Sequence, residues 1–214
     1  MSPAIENYFS RNAELWRDIY DRKNLPFFMF NLLFRKGIFD RWRICFESGA
    51  PIPGRTVLDI GCGSGLFSLQ FASLGAKRTL GLDIAGGMVE MARTQARQKG
   101  LDTKCEFMVA DFMKWDSPET FDIVIAIGVL EYIPDPLPFL KKMVQKSKSM
   151  VLVSFPGHDR LREPLRKLRY KIKKFPVYFY SEKDLLDLAA KAGIKSAEVI
   201  HYASSGLFLK GSME

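Results

Sequence analysis

The sequence predicts a doubly wound α/β fold, a parallel sheet with helices on both faces. Short apolar runs recur at Thr56–Ile60, Phe121–Gly128 and Met150–Phe155, the pattern of strands buried on both sides. Stretches with helical spacing alternate with them. The segment TVLDIGCGSG, Thr56–Gly65, joins the first strand to a helix through a glycine-rich turn.

Each element follows in order. Residues 1–50 read as a helical lid made of two helices, about Ile5–Asp21 and Pro26–Glu47, ahead of a domain at 51–214. Strand one is Thr56–Ile60. Its helix carries Leu66, Phe67, Leu69, Phe71, Ala72 and Leu74. Strand two, Arg78–Asp83, leads to a helix over Gly86–Lys99, and strand three is Lys104–Ala110. Strand four, Phe121–Gly128, is followed by a helix over Pro136–Ser147, with Pro136 suited to the first turn. Strand five is Met150–Phe155. Residues 157–180 are an addition before a helix that Ser181 caps, with Asp184 three residues on and Gly193 as its stop. Strands at Lys195–Tyr202 and Gly206–Lys210 close as a hairpin around Ser204–Ser205.

Composition bounds the function classes. A chain of 214 residues, 47% hydrophobic and 26% charged, is enough for one α/β domain with a full core. The apolar run Leu25–Phe34 is too short for a bilayer, which needs about 20 residues. Met1–Ser10 is polar and has no signal-peptide core. Cys45, Cys62 and Cys105 are scattered and odd in number, which points to a reducing, cytoplasmic setting without disulfides or a zinc site. The acids are not clustered with histidine, so no metal site is expected. The net charge of +8 is concentrated in Arg160–Lys174, with eight basic residues and one acid. That segment admits three readings: a solvated face, a peripheral membrane contact, or attraction of an anionic substrate. No nucleic-acid domain motif accompanies it, which disfavours nucleic acid as a partner.

The glycine turn carries the chemistry. Strand, turn and helix is a geometry in which backbone N–H groups and a helix N-terminus meet a polar ligand, and glycine lets the backbone close on it. The dinucleotide pattern G-x-G-x-x-G is not met, because its third glycine would fall at Leu66. Asp59, at the end of the strand, would repel a pyrophosphate and accept bonds from an ammonium group. A ligand with an amino-acid end fits better than NAD.

At these residues the chain resembles motif I of the class I S-adenosylmethionine-dependent methyltransferases. Further matches point to the small-molecule branch, which includes ubiquinone-biosynthesis and methyltransferase-domain-11-like enzymes. The resemblance implies a Rossmann-like seven-stranded sheet of order 3-2-1-4-5-7-6 with the last strand antiparallel. It implies S-adenosylmethionine as cofactor, S-adenosylhomocysteine as product, and methyl transfer to an oxygen of a small anionic or amphipathic acceptor. Oligomeric state is left open.

The resemblance also places a site. Asp59, Gly61, Gly63 and Gly65 form the turn. Asp83, with Ile84 beside it, stands 22 residues after Gly61, where an acid accepts bonds from ribose hydroxyls; it also suits a helix N-terminus. Met88 would lie near the adenine or serve as ordinary core. Asp111 would accept from the adenine amine, with Phe112 beside the ring; a turn aspartate is the plainer reading. Ile127 would face the methionine part. Strand four runs into Leu130-Glu131-Tyr132, where relatives carry Leu-Glu-His. Tyr132 therefore replaces a residue that acts as base in relatives, and orients a substrate oxygen or simply packs. His158, after strand five, is the other catalytic candidate, because histidine takes a proton near neutral pH.

Two further likenesses and three competing classes complete the reading. Tyr8-Phe9 with Trp16-Arg17, Ile19 and Tyr20 resembles the start of the magnesium-protoporphyrin methyltransferases, as does Ser154-Phe155-Pro156 after strand five. RNA or protein methyltransferases, a catalytically inactive S-adenosylmethionine-binding module and NAD-dependent oxidoreductases are the alternatives.

Overall fold

The computed structural model describes residues 36–159, 176–203 and 205–214. The first expected helix and the basic segment Arg160–Lys174 lie outside the described residues. Among them the chain runs α1 (Lys36–Ser48), β1 (Thr56–Ile60), α2 (Leu66–Ser73), β2 (Arg78–Asp83), α3 (Gly86–Gln98), β3 (Cys105–Val109), β4 (Phe121–Ala126), a 3₁₀ turn (Leu130–Tyr132), α4 (Pro136–Lys146), β5 (Ser147–Pro156), α5 (Glu182–Ala192), β6 (Ser196–Tyr202) and β7 (Gly206–Ser212).

One seven-stranded sheet has the order β3-β2-β1-β4-β5-β7-β6. The strands are parallel from β3 to β5, and β7 inserts antiparallel between β5 and β6. This is the expected Rossmann-like order. The winding of the chain reverses between the parallel strands β1 and β4, which opens a crevice at their carboxyl ends, where ligands bind in such sheets.

Alternation within the strands covers both faces. Leu58, Val124, Ala126, Val151 and Val153 pack on one side with Phe139, Leu140 and Met143 of α4 and Leu185 and Ala189 of α5. Val57, Ile123, Ile125, Leu152 and Phe208 pack on the other with Ile44 and Cys45 of α1 and Phe71 of α2. Thus α1, assigned to a lid in the sequence, is an integral layer of the domain. It packs against β5, β6 and β7, because Ile44 and Cys45 need the sheet to leave water.

The caps are those the residue types favour. Asp135 accepts from Leu137 N (3.2 Å) with Pro136 in the first turn of α4. Ser181 and Asp184 form the reciprocal capping box on α5, and Gly193 ends it left-handed at φ 87°. β4 stops at Ala126 rather than Gly128. Gly128 turns left-handed (φ 77°) and its N–H donates to Ser154 Oγ (2.8 Å), leaving the ladder. β5 starts earlier than the apolar run, at Ser147, because the chain passes straight from α4 into pairing with Phe121.

Candidate active site at the carboxyl ends of the strands

The glycine turn is closed by the protein itself. Gly61 N and Cys62 N both donate to Leu82 O (2.7 and 3.0 Å), Gly63 N to Asp83 Oδ2 (2.8 Å), and Gly65 N to Cys62 O (2.9 Å). Asp59 Oδ2 accepts from Ser68 N (3.2 Å) and Ser68 Oγ (2.7 Å), so the first turn of α2 is held by a carboxylate from β1. Four of the five turn N–H groups are already bonded, and an anion would have to displace Asp59 from the helix start. The turn is built against phosphate.

The glycines have different reasons. A Cβ on Gly61 would lie 2.4 Å from Val129 Cγ2, and one on Gly65 2.8 Å from Phe107 Cζ. Both are demanded by packing. A Cβ on Gly63 would meet only Met88 Cε, at 3.3 Å. Gly63 is therefore the glycine that leaves room beside the turn, with Met88 as neighbour. With φ 71° at Gly61, Gly61→Ala is expected to cost about 2–4 kcal/mol of fold stability, from overpacking plus the left-handed backbone. A urea titration should show a lower midpoint with unchanged slope. Gly63→Ala should cost only about 1–2 kcal/mol, the backbone part alone.

Asp83 bridges two elements, accepting from Gly63 N and from Ala85 N (2.8 Å) at the start of α3. Both readings of this acid thus meet in one side chain. A carboxylate offers about four acceptor sites, so Asp83 keeps acceptor capacity for hydroxyl groups beyond its backbone bonds. Burial raises the Asp83 pKa above the ordinary carboxylate value, against the hydrogen bonds from Ala85, Gly63 and Ile84 that lower it. Burial also lifts Asp59 to about 7, offset by the Ser68 bonds and reinforced by the charge of Asp83. Among the described residues, no cation figures among the groups acting on either acid. Two desolvated carboxylates beside one crevice favour a cationic ligand.

The remaining expected residues take varied places. Asp111 follows β3 and its Oδ1 accepts from Met113 N (3.0 Å), a turn bond. The ring of Phe112, expected beside adenine, lies in the core at 4% exposure, 4.9 Å from the Phe139 ring. Met88 is buried against Ala85 and Met91. Ile84 and Ile127 are half-buried at the ends of β2 and β4. Tyr132 is 7% exposed inside the 3₁₀ turn, which favours packing. His158 is exposed past β5, its ring 6.2 Å from Phe179. The segment carrying Phe179 is tied across the strand ends by Tyr178 N to Glu131 O (2.9 Å) and Tyr180 N to Pro156 O (3.0 Å). Among the described residues no group of three or more His, Cys, Asp or Glu is arranged to hold a metal ion. None of their helices is long and apolar enough to cross a membrane.

Sequence reasoning missed Arg41. It lies on α1, yet a Cβ built on Gly128 would be 3.2 Å from its Nη1, so the guanidinium stands at the end of β4. Only the docking of α1 on the sheet reveals it; charge and spacing along the chain carry no such signal.

Sheet order, a motif-I turn closed against anions and the paired acids together define a class I methyltransferase domain. The comparisons agree. Residues 57–149 match the methyltransferase domain family. The ubiquinone biosynthesis O-methyltransferase of Ruegeria sp. (strain TM1040) is 40% identical over 113 residues, 53% of this chain and 44% of that protein. The enzyme of the same name from Aliivibrio fischeri (strain ATCC 700601 / ES114) is 30% identical over 150 residues, 69% of this chain and 59% of that protein. The chain spans about half the length of the curated relatives it matches. Among solved structures, magnesium protoporphyrin IX methyltransferase from Synechocystis PCC 6803 with bound S-adenosylhomocysteine has a TM-score of 0.77 at 21% identity, covering 98% of each chain. Residues 57–149 carry a methyltransferase domain, and the sheet around them has the strand order of the class I S-adenosylmethionine-dependent methyltransferase fold.

Proposed function

We propose that this protein transfers the methyl group of S-adenosylmethionine to an oxygen of a small anionic or amphipathic organic molecule. The observation that carries the reading is the pair of acids, buried Asp59 and half-buried Asp83, set behind a turn most of whose N–H groups are already bonded. Such a site suits a ligand with ammonium and sulfonium charge and rejects a pyrophosphate. The names of the ubiquinone-biosynthesis relatives support oxygen as the acceptor atom.

The residues divide the cofactor among them. Asp83 accepts from the ribose hydroxyls, with Ile84 flanking. Met88 lies beside the adenine and Asp111 accepts from its amine. Gly61, Gly63 and Gly65 shape the turn, and Asp59 supplies negative charge for the ammonium end. Ile127 borders the methionine chain, and Arg41, reaching over Gly128, holds its carboxylate. The cofactor supplies a methyl carbon made electrophilic by the sulfonium. The protein's main contribution is alignment of the acceptor oxygen with that carbon, a positional effect worth up to about 7–11 kcal/mol. His158, on the exposed rim, takes the acceptor's proton. Tyr132 supports the wall from inside its turn.

Calorimetry with S-adenosylhomocysteine, NAD and methylthioadenosine tests this. The wild type is expected to bind S-adenosylhomocysteine at micromolar Kd and NAD not at all. Arg41→Met should weaken S-adenosylhomocysteine roughly tenfold, the loss of one charge-assisted contact, and leave methylthioadenosine, which has no carboxylate, unchanged. Equal losses for both ligands would remove Arg41 from the site. Radiolabelled methyl transfer to a panel of phenolic and carboxylic acceptors then tests turnover; label transfer only to RNA or protein would overturn the acceptor class.

A further inference from the structure

The loop between β3 and β4 has no regular structure, yet it carries Asp111. Two lysines one turn apart on α4 hold it. Lys142 Nζ donates to Met113 O (3.1 Å) and to Trp115 O (2.7 Å), and Lys146 Nζ donates to Ser117 O. Each ammonium also stands over an aromatic ring of the same loop: Lys142 5.2 Å from the Phe112 centroid, Lys146 5.3 Å from Trp115. Three alternate carbonyls and two rings are thereby fixed to one helix face.

The connection to Asp111 is short. Met113 offers its C=O to Lys142 and its N–H to Asp111 Oδ1. Asp111 O in turn accepts from Lys114 N (2.9 Å) and Trp115 N (2.8 Å). Removing the ammonium frees the peptide between Met113 and Lys114, whose N–H donates to Asp111 O, and loosens Met113, whose own N–H is the turn bond that aims the carboxylate. Phe112, the residue between, is locked by Phe139 below and Lys142 above. Ammonium-to-carbonyl bonds and cation–π contacts in a partly desolvated place are stronger than their exposed counterparts.

We propose that Lys142, supported by Lys146, is a positioning residue that sets the adenine selectivity of the site by aiming Asp111. The inference rests on the proposed function, in which Asp111 accepts from the adenine amine. It adds a determinant on α4 that never touches the ligand. Partial burial, and then the neighbouring charge of Lys146, lower the Lys142 pKa, in keeping with an ammonium half-covered by the loop.

The test compares S-adenosylhomocysteine with S-inosylhomocysteine, whose ring bears a carbonyl in place of the amine. For wild type, Lys142→Met, Lys142→Arg and the exposed neighbour control Lys141→Met, both dissociation constants are measured. Lys142→Met is expected to weaken S-adenosylhomocysteine roughly tenfold and to leave S-inosylhomocysteine little changed, so that the ratio falls about as much. Lys142→Arg, which still reaches two carbonyls, should restore most of the ratio, and Lys141→Met should match wild type. A structural role alone would weaken both ligands equally; an unchanged ratio in Lys142→Met overturns the proposal. Should Lys142→Met not fold, a wild-type ratio in Lys142→Leu, which has no donor for the loop carbonyls, overturns it equally. Hydrogen exchange at residues 113–117 without ligand reads the loop directly, and faster exchange in Lys142→Met is expected. A wild type that binds neither ligand would sink the proposed function, whereas the exchange result would still report the clamp.

Discussion

Asp83→Ala is expected to bind S-adenosylhomocysteine at least about 100-fold more weakly than wild type, equivalent to roughly 2.7 kcal/mol. Two hydroxyl-to-carboxylate bonds are lost together, each worth about 1.5–3 kcal/mol when one partner is charged. The same substitution leaves Gly63 N and Ala85 N without their acceptor. The turn and the start of α3 then lose a common anchor, which loosens the cradle as well as removing the ribose contact. Fold stability should change much less than affinity. Two N–H groups lose a partner, but a desolvated carboxylate is also removed, and these act in opposite directions. Asp83→Asn keeps one acceptor oxygen and should fall between the two. Calorimetry and urea unfolding on the same three proteins separate the effects. A dissociation constant for Asp83→Ala within threefold of wild type would show that this acid is only a clip between the turn and α3.

The strands and their partners were legible because their signal is local. Apolar runs such as Val57–Ile60 and Ile123–Ala126 alternate between two cores that a helix on each face completes. The caps of α4 and α5 were legible for the same reason, since Asp135 and Ser181 act within one turn. The acids Asp59, Asp83 and Asp111 could be found from spacing relative to the strands. Their partners could not. Ser68 meets Asp59 through a helix start, and Gly63 meets Asp83 across twenty residues, so which N–H groups remain for a ligand is a tertiary fact. Phe112 shows the same limit from the other side. Its place after Asp111 suggested a ring beside adenine, but the pull of Phe139 and Lys142 takes it into the core. Arg41 was hidden because it comes from a helix read as a lid. Its position follows from Ile44 and Cys45, three and four residues on, being drawn into the sheet.

Asp59→Asn is expected to raise the stability of the ligand-free protein above pH 7 while weakening cofactor binding. The folded pKa of Asp59 is about 7, against 3.8 for the ordinary side chain, chiefly through burial. Folding therefore retains a proton that the unfolded chain releases between those values. Stability from this group is full below about pH 4 and falls as pH rises to 7, by up to roughly 4 kcal/mol at 1.36 kcal/mol per unit. An amide at 59 still accepts from Ser68 and carries no charge to desolvate, so the decline between pH 5 and 8 should flatten. Binding acts with the opposite sign. An ammonium beside Asp59 favours its ionised form, so the cofactor expels a proton and binds more tightly as pH rises from 6 toward 8. In calorimetry the heat should then vary with buffer ionisation enthalpy at pH 7 for wild type and not for Asp59→Asn. Identical buffer dependence in both proteins would show that the ammonium end of the cofactor is neutralised elsewhere, and that Asp59 serves only to hold the first turn of α2.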